Sequence, residues 1–204
     1  ILLGRNKNEL NNFSMIIRNK YKVKVDFYIC DAENEDSINN FISVMTKSKD
    51  EIRLLINVAG VFPYGPLLEN KQDTFDNCID VNLRFPYLLS VGLFENLKRN
   101  NGGKVINIGS SSAYSGFKNT VLYCASKHAL LGFSRALNDE WKEYGVSVHC
   151  ISSGTLNTDM ASDIPQDKST YIDTKDFADL VYDVSQYNGN MVIEEVLAKR
   201  SEVR

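Results

Sequence analysis

The chain alternates short apolar runs with longer stretches in which apolar residues recur every three or four positions. The short runs cover 1–3, 24–30, 53–58, 104–108, 146–151 and 191–196. They are rich in Val, Ile and Leu, as strands buried on both faces require. The longer stretches predict helices over 6–19, 37–46, 74–98, 121–144 and 173–185. Leu10, Phe13, Ile16 and Ile17 form the inner stripe of the first, and Ile38, Phe41, Ile42 and Met45 that of the second. Leu130, Phe133, Leu137 and Trp141 do the same in the fourth. Pro86 predicts a kink in the third, and the Asn-Asn-Gly-Gly run at 100–103 a turn. Strands separated by helices must pair in parallel, and right-handed crossovers cover both faces. The expected fold is an α/β, doubly wound parallel sheet in three α/β/α layers.

Such sheets bind ligands at the carboxyl ends of their strands. Gly4-Arg5, Asp31, Asn57-Val58-Ala59-Gly60, Ser110 and Ser153-Gly154 collect there. A length of 204 residues suits one domain. A net charge of −3 supports no nucleic-acid partner. Four scattered cysteines without a Cys-x-x-Cys pair, and two histidines, make a metal site unexpected. The same cysteine usage fits a reducing cytoplasm. No apolar run is long enough to span a membrane, and we expect no signal peptide. The chain opens at Ile1 inside a strand-like run, so we expect an N-terminally truncated domain over 1–204, with its first strand and helix missing.

Tyr123 and Lys127 lie four residues apart at the head of the fourth helix, which places both on one face. A nearby ammonium favours the phenolate, and phenol needs help to exchange protons near neutrality. A tyrosine packed beside a solvated lysine has the same spacing. Ser110 stands thirteen residues upstream at a strand end, and Asn82 lies within the third helix. Ser110 as a plain loop serine and Asn82 as a backbone-bonded helix residue are the competing readings. His128 reads as a helix-surface residue, His149 as a packed one, and Cys124 as inert. Gly109-Ser-Ser-Ser-Ala113 approaches the nucleophile elbow of serine hydrolases, but it lacks the final Gly and no acid-then-His order follows it.

With Asn57-Val58-Ala59-Gly60, Asn82, Ser110, Tyr123-x-x-x-Lys127 and Ser153-Gly154…Thr158 in this order, the chain resembles the short-chain dehydrogenase/reductase family over essentially its whole length. The resemblance implies a Rossmann-like sheet and hydride transfer between NADP(H) and a carbonyl or alcohol. Tyr123 would be the general acid or base. Ser110 would hold the substrate oxygen. Lys127 would lower the tyrosine pKa and hold the nicotinamide ribose, and Asn82 would anchor a water in the proton relay. Asp31 would meet the adenine amino group. Asn57, Ala59 and Gly60 would approach the adenosine ribose, and Leu156 and Thr158 the carboxamide and phosphate. NAD-preferring members carry an acid at the end of the second strand, where this chain has Gly4 and then Arg5. A guanidinium suits the extra phosphate, so NADP(H) is favoured over NAD(H).

Two residues depart from the family pattern: Val58 stands for the second Asn, predicting a packing change, and Ser153 for the Pro of the usual Pro-Gly. The Gly-rich phosphate turn is absent. The short polar segment 161–171 takes the place of the substrate lid, which suits a small ketone or a tethered 3-oxoacyl thioester. The resemblance also implies a homodimer or homotetramer built on the third and fourth helices, although monomer packing explains the same stripes. A non-catalytic dinucleotide-binding regulator of the same fold is the alternative; such relatives usually lose the Tyr or the Lys.

Overall fold

The computed structural model describes all residues except 49, 50, 100, 101, 163, 165, 189–191 and 202–204. Six parallel strands are found among the described residues: β1 (Leu2–Gly4), β2 (Phe27–Ile29), β3 (Leu54–Asn57), β4 (Lys104–Ile108), β5 (Ser147–Ser153) and β6 (Glu195–Ala198). They form two sheets, β1-β2 and β3-β4-β5-β6. Among the described residues β1 is bonded only to β2 and β3 only to β4, so each has an edge that no described strand covers.

Local chemistry sets the helix ends. Asn6 and Asn34 cap α1 (Lys7–Tyr21) and α2 (Glu35–Lys47) by accepting from backbone N–H groups of the first turn. Asp173 does the same for α7 (Thr174–Gln186). The expected helix over 74–98 is broken into α3 (Gln72–Ile79), a π-turn (Asp80–Arg84), α4 (Phe85–Gly92) and the short α5 (Phe94–Leu97). Pro86 has no N–H to offer the Asn82 carbonyl four residues earlier, so the α-ladder fails there and widens. α6 (Val121–Trp141) runs unbroken beneath the sheet. The last strand lies further on than 191–196, because β6 pairs Glu195 to Ala198 with Cys150 to Ser153. Met191 and the first two residues of the expected 100–103 turn lie outside the described residues.

The main core fills the space between the strands and α2, α4, α5 and α6, with Phe41, Phe85, Leu93, Val105 and Trp141 at its centre. A second cluster sits under α7, around Ile106, Ile151 and Phe177. The α1 stripe departs from expectation: Phe13 and Ile16 are exposed, and the helix buries Ser14 instead. Leu54, Ile56 and Val58 are exposed as well, and no described element covers these residues.

Candidate active site

β4 ends at Ile108, and Ser110 follows in extended backbone. The Ser110 hydroxyl accepts from Ser112 N at 3.1 Å, which pins the turn Ser111–Ala113. From α6, Tyr123 turns its phenol toward the same hydroxyl, close enough for Ser110 to draw its pKa down. One turn on, the Lys127 ammonium is buried, donates to Ile108 O at 2.9 Å, and lies 5.7 Å from the centre of the Tyr123 ring. Ser110, Tyr123 and Lys127 are therefore brought together from a strand end and one helix face.

Electrostatics differ from expectation in one respect. Burial pushes the Tyr123 phenol above its usual value, the Ser110 hydroxyl pulls it back in part, and the Cys78 and Cys124 thiols push it up. Burial brings Lys127 itself down to about 8. A phenol held above its usual range stays protonated at neutral pH, which suits an acid better than a base.

Asn82 joins from the π-turn, but not as a water anchor through its side chain. Its carboxamide oxygen accepts from Val61 N at 2.8 Å. Its nitrogen donates to Val61 O at 2.9 Å and to Ser126 Oγ at 3.0 Å. Ser126 in turn donates to Tyr123 O at 2.8 Å. Both amide hydrogens are taken by protein groups, and Pro86 leaves the backbone carbonyl without its usual i+4 donor. Ser126 was missed in sequence because it occupies a spacer position of Tyr-x-x-x-Lys; only its place one residue before Lys127 hinted at it. Phe62 was missed too, and its ring stands edge-on against Tyr123 with centroids 4.7 Å apart.

The residues assigned to the cofactor divide. Gly60 lies against Lys127: a Cβ there would sit 3.3 Å from Asn82 Oδ1 and 3.9 Å from Lys127 Nζ. With Ile108 O as its one acceptor among the described residues, the ammonium has hydrogens left for a diol, which fits a nicotinamide ribose. Asn57 turns its side chain into the core, donating to Asn107 Oδ1 at 2.7 Å, so only its backbone faces the strand end. Ala59 lies beside it on the loop after β3. Asp31 accepts from Glu33 N at 3.1 Å at the end of β2. Arg5 is exposed and pairs loosely with Glu33 at 3.5 Å. Leu156 bridges to Ile172, and Thr158 is exposed at the start of a short turn. Arg5 and Asp31 thus sit on the small sheet, apart from the Tyr123 cluster on the large one.

His128 is exposed, and His149 is held between Ile193 O and Ser147 Oγ, as the sequence reading had them. Cys124 is buried beside Thr120 Oγ1. The serine-hydrolase elbow has no support: Ser112 is buried in the short turn, and its backbone N–H is spent on Ser110.

The short chain dehydrogenase family profile matches residues 1–169. The chain belongs to the short-chain dehydrogenase family. An uncharacterized oxidoreductase of Thermotoga maritima is 35% identical over 106 residues, 52% of this chain and 42% of that protein. A 3-oxoacyl-acyl-carrier-protein reductase of Rickettsia felis is 28% identical over 160 residues, 78% of this chain and 63% of that protein. The chain thus spans less than two thirds of the length of these family members. A metagenomic short-chain oxidoreductase solved with NADP superposes with a TM-score of 0.82 at 25% identity, over 99% of this chain and 85% of that one. The α/β parallel-sheet architecture of the family is therefore present here.

Proposed function

We propose that the chain is the substrate-side part of an NADP(H)-dependent oxidoreductase acting on a carbonyl or alcohol. The observation that carries this reading is the grouping at the end of β4 of Ser110, the Tyr123 phenol turned toward it and the buried Lys127 ammonium 5.7 Å from the tyrosine ring centre. In reduction Ser110 orients the substrate carbonyl oxygen and Tyr123 gives it the phenolic proton. Lys127 holds the nicotinamide ribose hydroxyls, and proton supply reaches it through water on the Asn82 carbonyl. NADP(H), when bound, supplies the hydride. Arg5 would meet the extra phosphate and Asp31 the adenine, and Gly60 leaves room for the ribose beside Lys127. Asn57, Ala59, Leu156 and Thr158 would add backbone and hydroxyl contacts. The solved relative holds NADP, and the Rickettsia relative bears the name of a 3-oxoacyl reductase, so small ketones and 3-oxoacyl thioesters are the substrates to try.

The cofactor needs more wall than the described residues supply. The edges of β1 and β3 that no described strand covers, with the uncovered Phe13, Ile16 and Ile56, fit one further strand–turn–helix unit, whatever part of the protein it comes from. A groove of about 460 Å³ between α4, α5 and α6, with Tyr87, Val91 and Tyr144 exposed along it, suits a second copy in a homodimer or homotetramer. Four free, buried cysteines agree with a reducing cytoplasm.

The test is cofactor oxidation by the full-length protein with small ketones and 3-oxoacyl thioesters, using NADPH and NADH in parallel. Turnover with NADPH favoured supports the reading. NADPH binding without turnover of any carbonyl leaves the non-catalytic regulator instead.

A further inference from the structure

At the carboxyl ends of β5 and β6 lies a cavity of about 610 Å³ that the proton-transfer residues do not use. Ser111, Tyr114 and Phe117 wall it on one side, and Gln166, Lys199 and Arg200 on the other. Ser111 follows Ser110 directly, so the cavity abuts the candidate site, although neither Ser110 nor Tyr123 lies in its wall. We propose that this cavity receives the carboxylate end of the substrate, so that the enzyme acts on carbonyl compounds that are organic acids. The proposal rests on the oxidoreductase reading above.

Charge is the first argument. Lys199 and Arg200 bring two positive charges to the wall, and neither is within ion-pair distance of a carboxylate among the described residues. Asp167 is the acid in the wall, and it is turned to its own loop. Its Oδ1 accepts from Ser169 N at 2.9 Å and its Oδ2 from Ser169 Oγ at 2.8 Å. The lining therefore has a positive surplus that no described protein group neutralises.

Geometry is the second. Arg200 Nη1 donates to Gln166 Oε1 at 2.9 Å and to Thr170 Oγ1 at 3.1 Å, and both acceptors line the cavity. Two bonds from one nitrogen fix the plane of the guanidinium. They leave the Nε/Nη2 edge without an acceptor among the described residues, and that edge matches a carboxylate with two parallel hydrogen bonds. Tyr114, Phe117 and Leu197 give the remaining wall an apolar character suited to a short carbon chain.

The reaction balances without the acid group taking part. The carbonyl carbon accepts hydride from NADPH, the oxygen accepts the Tyr123 proton, and a hydroxy acid and NADP⁺ leave. Solvent then restores the phenolic proton. The carboxylate is unchanged throughout, and Arg200 serves as a specificity residue.

The experiment compares short oxo acids with their methyl esters on the full-length protein, by kcat/KM and by calorimetric binding to the protein alone. The wild type should prefer the acid, and Arg200→Gln should lower kcat/KM and affinity for it roughly 10- to 100-fold. The ester should be unaffected, and Lys199→Gln should give a smaller loss in the same direction. Equal use of acid and ester by the wild type, or equal loss of both in Arg200→Gln, would overturn the proposal; the latter would make Arg200 a brace for 166–170 only. If neither compound is turned over, and small ketones and 3-oxoacyl thioesters are not turned over either, the oxidoreductase reading fails. Calorimetry still decides the cavity in that case, because an acid that binds no better than its ester removes the anion site.

Discussion

Ile56 and Ile106 are direct neighbours across one parallel ladder, yet Ile106 is 0% exposed and Ile56 39%. The side chains are identical, but Ile106 is flanked by strands on both sides and Ile56 on one, and the two also differ in what covers them. Ile106 lies under α7, whereas no described element lies over Ile56. The same contrast separates the two sheets. The four-stranded sheet carries Ser110, Tyr123 and Lys127 in a packed setting. The two-stranded sheet carries Arg5 and Asp31 beside an edge that no described strand covers and an α1 whose apolar residues face solvent. On the proposed function, proton transfer would belong to the closed region and recognition of the adenosine end to the open one.

The largest effect expected belongs to the closed region. Tyr123→Phe should cut carbonyl reduction by roughly 10²- to 10⁴-fold with cofactor affinity intact. Activity within a few-fold of wild type would remove Tyr123 as the acid. Next come the two isoleucines. Ile106→Ala should cost about 2–5 kcal/mol in urea melts, because it opens a cavity in a filled core. Ile56→Ala should cost under about 1 kcal/mol if its face meets solvent, since little buried area is lost. Equal costs would mean that Ile56 is covered in the working protein, and the contrast between the regions would close.

Lys127 sharpens the comparison through pH. Its ammonium titrates near 8 in the fold and about two units higher when unfolded. Between those values the unfolded chain holds a proton that the fold has released, so stability should rise with pH across that window, by at most about 3 kcal/mol. Lys127→Met should remove this rise; because the buried thiols and the Tyr123 phenol contribute with the opposite sign, the decisive quantity is the wild-type profile minus that of Lys127→Met, and a difference that falls from pH 8 to 10 would contradict the burial argument. A more modest effect is expected at Ser126. Ser126→Ala leaves an Asn82 donor without its oxygen and should cost about 1–2 kcal/mol. It should also lower kcat more than it raises KM, and Ser126→Thr should restore part of the loss. Unchanged kcat would leave Ser126 a packing residue.

The closed region was the more legible one in the sequence. β4 falls on its expected residues, and the Ser110–Tyr123–Lys127 grouping follows from a strand end meeting one helix face. The π-turn did not show, because apolar spacing continues through 80–84 and a proline announces a kink without its form. Alternation in β3 separates Asn57 from Ile56 by face, but it could not tell which face a helix would cover. The stripe of α1 suffered the same ambiguity: periodicity reveals that Phe13 and Ile16 share a side, not whether anything stands against it. Ser126 and Val61 act through a side-chain amide and a backbone, and neither leaves a pattern in a single sequence.

The grip of Asn82 on Val61 has a consequence for what can stand at position 82. One side chain accepts from Val61 N and donates to Val61 O, the two bonds a neighbouring strand would make. The carboxamide imitates a peptide group, so a helix here supplies one rung of sheet to a loop that has run past its ladder. A carboxylate of the same size keeps the acceptor and loses the donor, and a hydroxyl is too short to reach both. The identity of this residue is set by mimicry of the backbone, before any proton has moved.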